Sequence, residues 1–448
     1  MRVPAIAAAL LALSLAGCAS SFDSASKLKT LRILAVQKDK PYARPGDTVN
    51  LKLLFDDPRD PFVQVHGRDA GHRPFHVLWL SGCTNPKADA FEACIEQFTP
   101  DGGKLPSSLH GASDTLDFAV TLPKDIISSR PPPSNPDQPR NGSAFVFFAL
   151  CAGELKLGGP NVFDCESASH ELLGADDFVI GYSEIFAYDE LTNANPVVAT
   201  RDPDNGNQPT TGFQVDGVDV PVDCIGDACL ALESAEFRVS ASVMRPMSLV
   251  EAGAPVEGGL LPFDAGRPFD AGALPFGDGG LGLRDASARP ADAGLVRREA
   301  GTSHDAGGTP AALPPNCDPE ARPDARCFAE CIEDDQDKCP KHSMNLVVTR
   351  QSAETDGVAE ALEGRKVGEQ MWINYYTDAG KLEHDVKLLN DATAGWNPNH
   401  FADLRTPQTL GTFHVWAVAH DNRGGAQWAR VTLSTTSPYA HPVSMDGK

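Results

Sequence analysis

The chain has 448 residues, with 38 Lys and Arg against 61 Asp and Glu, for a net charge of −23. Such a surface repels nucleic acid and anionic lipid, so no nucleic-acid partner is expected. The length leaves room for two or three domains, and aromatic residues at only 7% predict modest cores.

The chain opens MRVPAIAAALLALSLAGCAS. Arg2 is followed by an almost wholly apolar run over residues 5–17. That run is shorter than the about 20 residues that span a bilayer, and it suits an export signal over residues 1–17. The LAGC at its end resembles the lipobox of bacterial lipoproteins, in which the cysteine is acylated and becomes the first residue of the mature chain. The resemblance implies a lipid on Cys18, a lipidated tether over residues 18–29, and a membrane reached through that lipid. Several acyl chains, at about 0.8 kcal/mol per buried methylene, anchor stably where one does so marginally. Ala19 rather than Asp follows the cysteine, which in such lipoproteins implies the outer membrane.

Residues 31–55 predict two strands around the turn RPGD, with Val49, Leu51, Leu53 and Phe55 alternating until the apolar Leu54. Further apolar runs at 75–83, 115–123, 143–153 and 176–189 predict more strands, with Trp79 in the core between two sheets. A second set lies at 212–222, 235–244, 344–350, 369–382 and 411–433. The last is a hairpin turning at DNRGG, where Asn and Gly are expected to take positive φ. Short strands without an amphipathic helix between them predict a mainly β fold of two β-sandwich domains, 30–192 and 193–437. The second is interrupted by a Gly/Ala/Asp/Pro-rich stretch over 246–315, too poor in large apolar residues to fold and expected to be disordered. A cysteine-rich segment follows at 316–340, expected to form a knob that the insertion carries away from the domain. Residues 438–448 are expected to be a flexible tail.

Of eleven cysteines, ten remain without Cys18. An even number in an exported chain predicts disulfides. Spacing suggests Cys83 with Cys94, Cys151 with Cys165, and Cys224 with Cys229. Cys317, Cys327, Cys331 and Cys339 have three possible connectivities. Zinc is the competing use of these four, yet only Cys327 and Cys331 form a knuckle and His342 offers a loose second half; no metal is assigned.

No catalytic residue and no cofactor site emerge. Gly277, Gly279 and Gly282 match the dinucleotide-binding spacing, but inside low-complexity sequence where no strand and helix frame them. His414 and His420 share a strand face about 20 Å apart, too far for one metal. The oxygen-rich 201–208 is expected to be a solvated interdomain loop. Among the aromatic candidates Trp372, Tyr375, Tyr376, Trp396 and Trp428, Trp396 stands out for binding a protein or polysaccharide, because it lies in a predicted loop with Asn397, Asn399 and His400.

LAGC, the opening LRILAVQ…ARPGDTV, the junction NANP…FQVDG and the closing FHVWAVAHDNRGGAQW together resemble the surface lipoproteins of myxobacteria. The resemblance implies immunoglobulin-like sandwiches and an envelope location, and it carries no catalytic residue with it. The function expected is non-catalytic binding, adhesion or an envelope-structural role. The alternative is an extracytoplasmic enzyme or a solute-binding component of an uptake system.

Overall fold

The computed structural model describes residues 24–59, 75–91, 93–94, 111–112, 116–136, 138–157, 163–167, 169–202, 204–229, 317 and 324–437. The signal sequence, Cys18, the strand expected at 235–244, the insertion 246–315 and the tail 438–448 lie outside the described residues.

The first half contains β1 (Arg32–Lys38), β2 (Tyr42–Ala43), β3 (Thr48–Asp56), β4 (His76–Thr84), β5 (Gly111–Ala112), β6 (Asp117–Thr121), β7 (Asn141–Cys151), β8 (Glu154–Leu157), β9 (Phe163–Glu166) and β10 (Phe178–Tyr188). RPGD makes the turn into β3: the Asp47 N–H donates to the Arg44 carbonyl at 3.0 Å, and Gly46 sits at φ +83°. With Pro45 before it, this is a type II turn. Val49, Leu51 and Leu53 point into the first core. Leu54 is buried as well, because the register against β1 slips between Ile33 and Ala35 and both faces are covered at this end. One sheet runs β1-β3-β6 and the other β2-β10-β7-β4-β5, while β8 and β9 form a separate hairpin. Trp79 is fully buried in the core they share, its ring stacked on Phe118 at 5.4 Å and edge-on to Phe148 at 5.5 Å.

The second half contains β11 (Arg201–Asp202), β12 (Gln208–Pro209), β13 (Phe213–Val215), β14 (Val218–Asp219), β15 (Cys224–Ile225), β16 (Cys327–Ala329), β17 (Lys341–Leu346), α1 (Gly357–Glu363), β18 (Met371–Thr377), β19 (Lys381–Glu383), β20 (Val386–Asp391), β21 (Gly395–Trp396), β22 (Ala402–Arg405), β23 (Gly411–Asp421) and β24 (Ala426–Thr436). A five-stranded sheet runs β14-β13-β17-β22-β19. A larger one runs β15-β24-β23-β18-β20-β21, with β16 beside β24. Helix α1 is short but fully capped: Asp356 accepts from the N–H groups of Val358 and Ala359, and Gly364 closes it at φ +66°.

Strands β23 and β24 are buried on both faces. Phe413, Val415, Ala417, Val431 and Leu433 enter the second core. Trp416, Val418, Ala426 and Trp428, on the opposite face, join the first. The halves therefore share an apolar contact rather than hanging together by a linker. Such double burial explains why FHVWAVA is almost continuously apolar.

Two expectations about the flanking segments are corrected. Residues 24–29 are not free tether: Leu28 is 1% exposed, its N–H donates to Thr377 O at 2.8 Å, and the Thr377 N–H donates to Ser26 O at 2.9 Å. An apolar side chain with a groove to enter pins this stretch. Nor does the cysteine-rich segment stand off as a knob. Strand β16 pairs parallel with β24, Phe328 is buried in the second core, and the Cys331 N–H donates to Pro407 O at 3.0 Å.

Cysteines meet as Cys83–Cys94, Cys151–Cys165, Cys224–Cys229, Cys317–Cys327 and Cys331–Cys339, with Cα separations of 4.9–5.7 Å, inside the disulfide range. His342 takes no part. It stacks on Phe328 at 4.2 Å and donates through Nδ1 to Asp216 at 2.7 Å.

Candidate functional site

The segments NANP, DNRGG and LAVQK, far apart in the chain, converge at one end of the contact between the halves. The β23–β24 turn is the hub. Asp421, 3% exposed, accepts from the N–H groups of Arg423 at 2.8 Å and Gly425 at 2.7 Å and from Asn193 Nδ2 at 3.3 and 3.2 Å. Asn195 Nδ2 donates to Lys38 O at 2.8 Å, and its Oδ1 accepts the Ala426 N–H at 3.0 Å. Lys38 Nζ donates to Glu184 O at 2.7 Å. Burial holds its ammonium down to about 8, with the Asp421 charge opposing.

Both turn glycines are fixed by this crowding. A Cβ on Gly424, at φ +88°, would run into Lys38 Nζ, and one on Gly425 into the Asp421 carboxylate. Of the two residue types expected at positive φ, only the glycine takes it. Asn422 serves instead as a connector, accepting the Gln370 N–H at 3.2 Å and donating to Asp356 at 3.1 Å.

Arg423 anchors the other side. Its Nε donates to Glu369 at 2.8 Å and its Nη2 to Glu354 at 3.1 Å, while the guanidinium lies over the Tyr42 ring, 5.5 Å from its centroid. Glu369 is wholly buried. Burial pushes its carboxyl up to about 7, with the guanidinium opposing.

Above this network lies an open cleft of about 350 Å³, lined by Asp39, Lys40, Tyr42, Arg44, Asp47, Leu191, Thr192 and Asn193. It lies at the small end of the range, about 300–1,000 Å³, of small-molecule sites. Residues from both flanks of the RPGD turn and from the strand-to-junction segment form its wall. The sequence marks these residues only as turn and linker.

A second buried charge sits farther along the same contact. Trp416 Nε1 donates to Asp56 at 3.3 Å, and Asp56 is 7% exposed. Burial first, then the nearby Asp378 charge, raises this carboxyl to about 6. Because the folded value exceeds the unfolded one of about 3.9, Asp56 contributes stability that is complete below about pH 4 and lost as pH rises through 6. Asp56→Asn keeps the acceptor without the charge. It is expected to be up to about 3 kcal/mol more stable than the parent near pH 7.5, yet little changed near pH 3. Urea midpoints at the two pH values check this. Equal differences at both would refute it.

The aromatic candidates fare differently. Tyr375 and Trp428 are core residues, 1% and 0% exposed. The Tyr375 hydroxyl is used by the Leu346 N–H at 3.1 Å and by His400 O at 3.2 Å. Trp372 stacks on His420 at 5.4 Å, whose imidazole burial holds down at about 4. His414 is tied to Asp378 at 2.9 Å. Trp396 lies on strand β21, not in a loop, and packs against the second core. Its Nε1 donates to Asp204 at 3.1 Å and Arg350 lies over its ring at 5.7 Å, so its polar tip and part of its surface are already engaged.

The described residues of 201–208 are exposed, as expected of a solvated stretch, except Asp202, which pins the turn between β11 and β12. Asp202 is 6% exposed. Its carboxylate accepts from the N–H groups of Asp204 and Asn205 and from Gln214 Nε2 at 2.9–3.2 Å. Among the described residues no group of three or more His, Cys, Asp or Glu side chains is placed to hold a metal ion. Compared with known proteins, the chain matches no family model, no curated protein and no solved structure.

Proposed function

We propose that this chain is a lipid-anchored, disulfide-bonded protein of the bacterial envelope that works by binding, with its sheet pairs as immunoglobulin-like sandwiches. The observation that carries the proposal is five cysteine pairs at disulfide distance in a chain whose eleventh cysteine, Cys18, ends an apolar export-type run. Paired cysteines persist in oxidising compartments, and the N-terminal run supplies the route to one.

Two features favour a rigid binder over a hinged uptake component. Motion between parts of a chain is the default unless their interface is large and apolar, and here Trp416, Val418, Ala426 and Trp428 of the second half are packed into the first core. The leash is also short. Cys18 and the first described residue, Ser24, are six positions apart, a reach of at most about 20 Å. A lipid on Cys18 therefore holds the body against the membrane surface.

Detergent phase partition of envelope fractions tests the anchor. The parent is expected in the detergent phase and Cys18→Ser in the aqueous phase. A parent that partitions into the aqueous phase with an unmodified Cys18 thiol overturns the proposal.

A further inference from the structure

We propose that Asn205 is a site of spontaneous deamidation, through a succinimide formed with Gly206, and that the fold confines this chemistry to one of the chain's two Asn-Gly pairs. The inference concerns a covalent modification and is independent of where the chain is anchored.

The reaction needs only water. The Gly206 nitrogen, having given its proton to solvent base, attacks Cγ of the Asn205 side chain. The bond from nitrogen to Cγ forms, the bond from Cγ to Nδ2 breaks, and ammonia leaves with a proton taken from water. Water then opens the five-membered ring at either carbonyl. One opening gives an aspartyl residue, the other an isoaspartyl residue whose main chain runs through the side chain. Glycine in the second position favours closure, because no Cβ hinders the approach and the backbone can rotate into it.

Asn205 and Gly206 are both exposed, in the turn between β11 and β12. Gly206 lies at φ +59° and Asn207 at φ +58°, and the Gln208 N–H donates to Asn205 O at 3.2 Å, as in a type I′ turn. A Cβ on Gly206 would meet nothing within 4 Å, so the reacting segment has room to move. Among the described residues, neither the Asn205 side-chain amide nor the Gly206 N–H takes part in a hydrogen bond. Both reacting groups are in solvent and uncommitted.

The pair Asn141-Gly142 has the same chemistry in a setting that opposes it. Both residues lie on β7, opposite Tyr188 and Ala187 of β10. Gly142 is buried, and a Cβ on it would come within 2.7 Å of Ile126 Cγ1 and 2.8 Å of Ile126 O. Rotating this backbone toward the ring geometry would break the ladder and drive it into Ile126. At Asn205 the consequence is a change of local charge. Each conversion replaces a neutral amide with a carboxylate one position from Asp204, which accepts from Trp396 Nε1 at 3.1 Å and pairs with Arg350.

The test incubates the full folded chain in detergent at mildly alkaline pH in heavy-oxygen water, then digests it in ordinary water. Mass spectrometry reads the tryptic peptides that follow Arg201 and Arg140. The oxygen that opens the ring comes from the incubation water, so the label marks conversion in the folded chain and not during digestion. Labelled aspartyl and isoaspartyl products are expected at Asn205, with Asn141 unlabelled. Incubation of the chain unfolded in urea should label both positions. Asn205→Gln, whose longer side chain would have to close a six-membered ring, should lose the label there and melt at the parent's temperature. Three results would each overturn the assignment: no label at Asn205 in the folded chain, equal label at Asn141 and Asn205 in the folded chain, or an aspartyl product with no isoaspartyl form.

Discussion

Arg423→Ala is expected to destabilise the protein by about 3–5 kcal/mol near pH 8, because it strands a buried carboxylate. Glu369 is wholly buried and Arg423 is 4% exposed, and among the described residues the 2.8 Å bond between them is the only one Glu369 makes with a cation. The same substitution removes the bond to Glu354 and the cover over Tyr42. The loss should shrink near pH 5. Without the guanidinium, the Glu369 carboxyl rises further above its ordinary value. Its folded form then keeps the proton, and the penalty of a buried charge disappears below the raised value. Urea denaturation at the two pH values checks both the size and the sign. A loss under about 1 kcal/mol near pH 8 would mean that the pair behaves as a surface ion pair, contrary to its burial.

Trp428→Ala is expected to cost a similar amount, about 3–5 kcal/mol, for a different reason. The indole is fully buried on the face of β24 that meets the first half, and its Nε1 donates to Gly226 O at 2.9 Å. Truncation leaves a cavity between the halves and an unpaired carbonyl. The parent should unfold in one transition, since the two cores are joined through β23 and β24. The variant should show two, as the contact between halves fails before either core. Trp428→Phe fills most of the space and loses the hydrogen bond, so about 1–2 kcal/mol is expected. Calorimetry that finds two transitions in the parent would contradict the shared contact.

Much of the local structure was legible in the sequence because strand period and turn chemistry act over a few residues. The alternation of Val49, Leu51 and Leu53 reports a strand with one buried face, and Pro45-Gly46 reports the turn that leads into it. The hairpin of β23 and β24 was legible for the same reason. What such patterns do not report is the identity of the cover. The run FHVWAVA reads only as one strand of that hairpin, not as a strand covered on both faces with Trp416 and Trp428 meeting the first half. Helix α1, at seven residues, is too short for a helical period to show, although Asp356 and Gly364 are its visible caps. The cleft was illegible because its chemistry depends on partners such as Asn193 and Asp421, 228 positions apart. Trp396 was misplaced for the converse reason: strand β21 has two residues, too few to alternate, so Asn397 and Asn399 around it gave the signal of a loop.

The most direct test of the envelope proposal is the intact mass of protein purified from membranes under denaturing conditions, with a thiol alkylator and no reductant. The expected mass is that of residues 18–448 plus more than one acyl chain on Cys18, less ten hydrogens for five disulfides, with no alkyl group added. A mass that begins at Met1, or one that carries alkylated cysteines and no lipid, would contradict the account.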